Sequence, residues 1–250
     1  MARGPGLVLF DLNDTLVDHT GTVRRTLLAL RNEFPLLDGI STTSLTRRYN
    51  TLLAEAHPAI VRGELDAASA RVARFARLLS EFGRTTPADT VARLAGRYRE
   101  VYQASRRRLP GALGLLRSLS KSCTVGVLTN NRRSEQVETL TTFGLWPHVD
   151  FLITSEETGV PKPDPRAFKI AVRRADGSSA TSLMVGDSWD DDVRGALRAG
   201  LRAVWLNRFG APSPPPDPRV EVLESFVPVA TTVRRMQHHL ASRPPAARRT

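Results

Sequence analysis

The stretch "LVLFDLNDT", from Leu7 to Thr15, sets four apolar residues directly before a carboxylate, that of Asp11. A short apolar run closed by polar residues is typical of a buried strand in a parallel sheet. Later runs of the same form lie at residues 123–128, 149–153, 182–185 and 202–206. Because open parallel sheets bind ligands beyond the carboxyl ends of their strands, we expect the functional residues directly after these runs.

Helical patterns separate the later strands. They cover residues 132–143, 165–174 and 190–199, and Gly200 is suited to end the last of them. Strand and helix therefore alternate after about residue 107. This alternation predicts an α/β fold with a doubly wound parallel sheet.

Residues 16–106 have a different pattern, with helical periodicity and many Ala, Leu and Arg residues. Residues that interrupt helices divide the segment, namely Pro35, Pro58, Gly63 and Pro87. We interpret the segment as an α-helical domain inserted after the first strand, with residues 1–15 and 107–241 forming the core. Residues 242–250 are expected to be a disordered tail.

The charge of the chain does not favour nucleic-acid binding. The formal net charge of the 250 residues is +11, but residues 234–250 hold five arginines and no acid, which we interpret as a frayed basic tail. The single cysteine, Cys123, provides neither a disulfide framework nor a cysteine-based metal site. No apolar run approaches the roughly 20 residues of a membrane span. We therefore expect a cytoplasmic protein with no membrane partner.

Four short motifs follow the predicted strands in order. They are "DLNDT" at 11–15, "LTNN" at 128–131, "KPDP" at 162–165 and "GDSWDDD" at 186–192. In this order and position they resemble the motifs of phosphatases of the haloacid dehalogenase (HAD) superfamily. The resemblance covers nearly the whole chain. It implies a Rossmann-like core with a helical cap of the C1 type between the first and second motifs.

The resemblance assigns the nucleophile and the metal ligands. Asp11 would attack phosphorus to form an aspartyl phosphate. Mg²⁺ would be held by the carboxylates of Asp11 and Asp187 and by the backbone carbonyl of Asn13. Positive charge is needed there, because two unit charges of like sign about 4 Å apart repel by roughly 4 kcal/mol at an effective dielectric constant of 20.

The remaining motif residues would hold the phosphoryl group. Thr129 would contact it through its hydroxyl, and Asn130 is either a second substrate contact or a turn former. Lys162 would stabilise the phosphoryl charge and orient the nucleophile. Asp192 matches the second acidic position of the family and would anchor Lys162 or a metal-bound water. Asp190 and Asp191 stay open as alternatives for this supporting acid.

Asn13 departs from the family pattern. Phosphatases of this family carry there an acid that protonates the leaving oxygen and then activates water, a contribution of typically about 10²–10⁴ in rate. Four explanations stay open: a substrate with a good leaving group, a substitute acid such as Asp14 or a cap residue, a weak or non-catalytic phosphate-binding protein, or an engineered substitution. A haloacid dehalogenase-like hydrolase, which needs neither that acid nor Mg²⁺, is a further alternative.

We therefore expect a Mg²⁺-dependent phosphohydrolase that acts on a small phosphorylated metabolite of the nucleotide or sugar phosphate type. The sequence leaves the substrate and the oligomeric state open, because specificity depends on the placement of cap side chains. It also leaves open whether Trp189 faces the cap or packs inside the core.

Overall fold

The computed structural model describes residues 6–212 and 214–242. Six strands form one parallel sheet in the order β3-β2-β1-β4-β5-β6. Their bounds are Leu7–Phe10 (β1), Thr124–Thr129 (β2), Phe151–Thr154 (β3), Ser182–Gly186 (β4), Arg202–Leu206 (β5) and Val220–Leu223 (β6). The chain builds outward from β1 on one side and then, from β4, on the other. This is the predicted doubly wound, Rossmann-like arrangement.

Helices connect most of these strands. The α-helices of the described residues are His19–Glu33 (α1), Thr42–Val61 (α2), Ala67–Glu81 (α3), Ala88–Ser105 (α4), Ala112–Leu119 (α5), Arg133–Thr142 (α6), Ser155–Thr158 (α7), Pro165–Arg174 (α8), Gly195–Arg198 (α9) and Val229–Ala241 (α10). Short 3₁₀ helices span Pro35–Leu37, Trp146–His148 and Ser179–Thr181, and a π-helix spans Trp189–Arg194. No described helix has both the length and the apolar character needed to cross a bilayer.

The chain divides into two compact units, one of which comprises the chain up to Val17 and from Arg108 onward. In this unit both faces of the sheet are covered. Along β1, Leu7 and Leu9 belong to the apolar core on one face, whereas Val8 and Phe10 belong to the core on the other. Burial on both faces explains why β1 is continuously apolar rather than alternating.

The second unit, Asp18–Arg107, contains α1 to α4 and has an apolar core of its own. Side chains cap three of its helices, and at the start of α1 Asp18 accepts a hydrogen bond from the Gly21 amide. Ser41 accepts a hydrogen bond from the Ser44 amide at the start of α2, and Asp66 accepts one from the Ser69 amide at the start of α3. Such caps satisfy backbone donors that a helix leaves unpaired in its first turn.

The structure corrects two expectations about helices. The predicted break at Pro58 is wrong, because α2 continues through it to Val61. The missing N–H of Pro58 costs the helix one hydrogen bond, to the carbonyl of Ala54, and the helix ends three residues after it. The predicted helix over 190–199 is present but begins as the π-helix Trp189–Arg194 before α9.

The C-terminal region is more ordered than the sequence suggested. The frayed tail expected from residue 234 is wrong for residues 234–241, which form the second half of α10. Val233, Met236 and Leu240 pack against the core of the sheet unit, and their spacing of three and four residues matches one face of a helix. The strand β6 was not predicted. Residues 243–250, for which a disordered tail was expected, lie outside the described residues.

Candidate active site

The first and fourth motifs meet at the carboxyl edge of the sheet. β1 and β4 are neighbours with Phe10 opposite Val185, and the Asp11 amide donates to the Val185 carbonyl at 2.9 Å. Asp11 follows β1 directly, and Asp187 follows β4 directly. The chain reverses its direction of sheet growth between these two strands, which is where doubly wound sheets bind ligands.

Three carboxylates converge at this point. Oxygens of Asp11, Asp187 and Asp192 all lie within 4.8 Å of one another. Asp11 and Asp192 are buried and Asp187 is half-buried. Carboxylates this close repel one another unless positive charge lies between or beside them.

Lys162 supplies one such charge. Its Nζ donates to Asp11 Oδ1 at 2.7 Å and to Asp192 Oδ1 at 2.6 Å, and the residue is only 4% exposed. Burial alone would lower the pKa of Lys162, but the two adjacent carboxylates outweigh it and raise the pKa above its ordinary value. The side chain is therefore an ammonium that ties the two acids together.

Of the candidate anchors, Asp192 is the one whose carboxylate contacts the Lys162 ammonium. Asp192 Oδ2 also accepts from the Ser188 amide at 3.1 Å. Asp191 is half-buried, and its backbone amide donates to the Ser188 hydroxyl. Asp190 is exposed and pairs with Arg194.

The carboxylate cluster retains excess negative charge. Three carboxylates and one ammonium sum to −2 when all are ionised. Burial, followed by the charges of Asp11, Asp192 and Asp14, raises the pKa of Asp187 to about 8. Burial chiefly raises the pKa of Asp192 to about 7, against the opposing effect of Lys162. A divalent cation beside these oxygens would relieve the repulsion, so the donor set suits a hard metal ion.

Thr129 and Asn130 follow the apolar part of β2. Thr129 is buried, and its hydroxyl accepts from the backbone and side-chain amides of Asn131 at 3.3 and 3.4 Å. The Asn130 side chain forms two hydrogen bonds with the backbone of Lys162, as donor at 2.9 Å and acceptor at 2.7 Å. Asn130 thus positions Lys162, and its expected contact with substrate stays a prediction.

The family is shown by comparison with known proteins. A model of the haloacid dehalogenase-like hydrolases, a hydrolase family, matches residues 5–200. The chain belongs to this family. The Bacillus subtilis protein YfnB is 30% identical over 83% of this chain and 86% of its own length. The pyrimidine 5'-nucleotidase YjjG of Escherichia coli is 38% identical over 40% of this chain and 44% of its own length.

Solved structures of similar fold cover nearly the whole chain. The magnesium-bound structure of Bacillus subtilis YfnB has a TM-score of 0.70 at 24% identity and covers 93% of this chain and 100% of its own. A 2-haloacid dehalogenase from Pseudomonas syringae has a TM-score of 0.59 at 28% identity, with 94% and 100% covered. At these identities the HAD fold is clear and the reaction is not.

In the turn that follows Asp11, most of the hydrogen bonds involve backbone groups. The Asn13 backbone pairs with Val17 in a single β-bridge, and its side chain is half-buried and forms no hydrogen bond with another described residue. Asp14 is buried with a left-handed backbone (φ 59°), and its amide donates to the Val17 carbonyl. Arg208 donates to the Asp14 carbonyl at 3.2 Å and lies 3.4 Å from its carboxylate.

Three residues of this HAD site were not assigned from the sequence. The Thr15 hydroxyl donates to Asp187 Oδ1 and accepts from the Asp187 amide, both at 3.1 Å, so it fixes the orientation of that carboxylate. Trp205 Nε1 donates to the Asp187 carbonyl at 2.9 Å. Arg208 is the third. Trp189 packs edge-on against Trp205, with ring centroids 5.1 Å apart.

Proposed function

We propose that this HAD hydrolase is a Mg²⁺-dependent phosphohydrolase that transfers the phosphoryl group of a small metabolite, of the nucleotide or sugar phosphate type, to Asp11. One observation carries the proposal: Asp11 lies beside Asp187 and is hydrogen-bonded to the Lys162 ammonium. A carboxylate nucleophile, an acidic cluster suited to a cation and a buried ammonium are the groups that phosphoryl transfer requires. The nucleotidase activity in the name of YjjG agrees with this class.

The residues that would hold Mg²⁺ are Asp11 and Asp187 through their carboxylates and Asn13 through its backbone carbonyl. All are oxygen ligands, which Mg²⁺ prefers. When bound, the ion supplies positive charge that offsets the −2 of the cluster and the charge of the phosphate ester. An Asp-to-Asn difference at position 13 does not alter this ligand, because the backbone carbonyl is the same.

The chain's own groups divide the chemistry between them. A carboxylate oxygen of Asp11 forms a bond to phosphorus while the bond from phosphorus to the leaving oxygen breaks. The Lys162 ammonium holds the attacking carboxylate and offers charge to the phosphoryl oxygens, and the Thr129 hydroxyl offers a hydrogen bond. Water then cleaves the aspartyl phosphate, which releases inorganic phosphate and restores Asp11.

Asn13 favours a second candidate function, a HAD protein that binds phosphate and hydrolyses phosphate esters only slowly. An alkoxide leaving group takes a proton as it departs, and the Asn13 amide can donate a hydrogen bond but cannot transfer a proton. The loss of a positioned acid–base group is worth about 10²–10⁴ in rate. Esters with good leaving groups should therefore react fastest. The amide also leaves a haloacid dehalogenase-like reaction as an alternative, since halide departs without a proton.

The proposal is tested by phosphate release from a panel of sugar phosphates, nucleotides and acyl phosphates, with Mg²⁺ or with EDTA. We expect release that requires Mg²⁺ and that is lost in Asp11→Asn. Chloride release from a 2-chloro acid is measured in parallel, in EDTA. Chloride release without any phosphate release would overturn the proposal in favour of the dehalogenase. Saturable phosphate binding without turnover of any ester would favour the weak or non-catalytic protein.

A further inference from the structure

The core-facing side of α3 carries two arginines. Arg74 is only 7% exposed, and Arg71, one turn earlier, is half-buried. Residues three, four and seven apart share one face of a helix. Arg71 therefore lies on the same face as Arg74, Phe75 and Leu78, of which the last two are core residues. A cation on the apolar side of a helix is costly unless an opposite charge accompanies it.

Arg74 contacts one ring of an aromatic cluster. Its Nη1 donates to the Tyr49 hydroxyl at 2.8 Å, and its guanidinium carbon lies 5.1 Å from the centre of the Tyr49 ring. The Tyr98 ring is 4.9 Å from that of Tyr49 and 5.8 Å from that of Tyr102. The buried Nε of Arg74 has no hydrogen-bond partner. Buried donors are normally hydrogen-bonded, so this guanidinium N–H would be satisfied by an oxygen atom of a ligand.

The helical unit offers these arginines no ion-pair partner: the exposed Asp66 carboxylate, whose pKa is lowered chiefly by its hydrogen bonds to Ser69 and also by the charge of Arg71, forms no ion pair with Arg71. Burial raises the pKa of Tyr49 and raises that of Tyr98 well above its ordinary value, so both hydroxyls stay neutral. Neither Arg71 nor Arg74 forms an ion pair with any residue that the structure describes. Burial, and then the positive charges of Arg99 and Arg74, lower the pKa of Arg71.

Nearby carboxylates on α2 and α3 are committed to other arginines. Glu55 of α2 pairs with Arg77, and Glu81 of α3 pairs with Arg48. The two inward-facing guanidiniums are thus left with aromatic rings, one neutral hydroxyl and each other. An anion from outside the chain would therefore meet two guanidiniums that have no ion-pair partner among the described residues.

We propose that Arg71 and Arg74 form an anion-binding site in the helical unit Asp18–Arg107, which binds the oxyanion of a small molecule against the rings of Tyr49 and Tyr98. The oxyanion is a carboxylate or a phosphate, because both match the planar fork of a guanidinium. The flanking rings favour an organic group beside the anion. The site goes beyond the proposed phosphohydrolase and uses none of its residues.

The chain provides separate reporters for the two sites. Its three tyrosines, Tyr49, Tyr98 and Tyr102, all lie in this cluster, and its tryptophans lie in the sheet unit. The full-length protein, with ¹³C-labelled tyrosine rings and ¹⁵N-labelled indoles, is titrated with inorganic phosphate and, separately, with acetate. EDTA is present, so that no divalent cation at the carboxylate cluster offers a second site for the anion.

We expect saturable shifts of the Tyr49 and Tyr98 signals, with the indole signals unmoved. The anion with the higher affinity shows whether the site prefers a phosphate or a carboxylate. Arg71→Gln should weaken binding at least about tenfold, the effect of losing a charged hydrogen bond. The matched control is Arg93→Gln, which removes one charge from an exposed position of α4 in the same unit and should leave the affinity within about twofold. If Arg71→Gln does not fold, Arg74→Lys takes its place.

Tyrosine signals that stay still with both anions would overturn the site, as would equal weakening in Arg71→Gln and Arg93→Gln. Neither result bears on the phosphohydrolase, which is judged by the indole signals and by phosphate release once Mg²⁺ is added.

Discussion

Replacing Lys162 by Met removes an ammonium held between two buried acids and keeps an apolar stem of similar length. The side chain of Asp192 is 2% exposed and that of Asp11 is 12% exposed. Without Lys162, Asp192 loses a 2.6 Å contact at a buried position, whereas Asp11 is more exposed and can regain part of its hydration. Lys162→Met should therefore lower the free energy of unfolding by about 3–5 kcal/mol, which is the usual cost of removing one partner of a buried ion pair.

The double variant Lys162→Met with Asp192→Asn tests where that loss arises. It replaces the uncompensated Asp192 charge by a neutral amide, so it should be at least about 2 kcal/mol more stable than Lys162→Met alone. Lys169→Met is the matched control, since Lys169 is an exposed lysine on α8. Its effect should stay within about 0.5 kcal/mol.

The assay is urea unfolding in EDTA at constant pH, followed by tryptophan fluorescence because all three tryptophans lie in the sheet unit. A Lys162→Met variant as stable as Lys169→Met would refute the reasoning. So would a double variant no more stable than the single one, because the cost would then not come from an uncompensated Asp192.

Three further predictions follow from the proposed site. Asn13→Asp should raise steady-state turnover of alkyl phosphates by about 10²–10⁴ and that of acyl phosphates less; an unchanged alkyl rate, with Mg²⁺ bound and Asp11 phosphorylated, would mean that another group serves the dephosphorylation step. Asp187→Asn should weaken Mg²⁺ binding, measured by calorimetry, at least about tenfold, and an unchanged affinity would contradict its role as a ligand. The helical unit is proposed to act as a closing cap, so Mg²⁺ with a phosphate analogue should slow hydrogen exchange at residues 16–20 and 104–110; unchanged exchange with the ligand bound would exclude closure.

The sheet was predictable because the pattern of each inner strand is local. β1 is an apolar run ended by Asp11, and β4 is a similar run ended by the motif that holds Asp187. Covering both faces of the sheet makes each strand continuously apolar, which a single sequence displays. β6 escaped prediction because it is an edge strand of four residues, only one of them buried.

Contacts between distant residues could not be predicted. The choice between Asp191 and Asp192 depends on the π-helical winding of Trp189–Arg194, which changes the direction of successive side chains and has no sequence signal of its own. Thr15 stands in the first motif, but its partner Asp187 is 172 residues away. Helical periodicity identified α3 without showing that Arg74 faces inward toward Tyr49.

The central claim is that Asp11 accepts the phosphoryl group. The direct measurement is mass spectrometry of the acid-quenched protein after brief reaction with acetyl phosphate, whose leaving group needs little protonation. The account predicts a phosphoryl adduct on the peptide that contains Asp11. The adduct should require Mg²⁺ and be removed by hydroxylamine, and it should accumulate because Asn13 cannot activate water. Mg²⁺-dependent phosphate release without this adduct, or an equal adduct in Asp11→Asn, would contradict it.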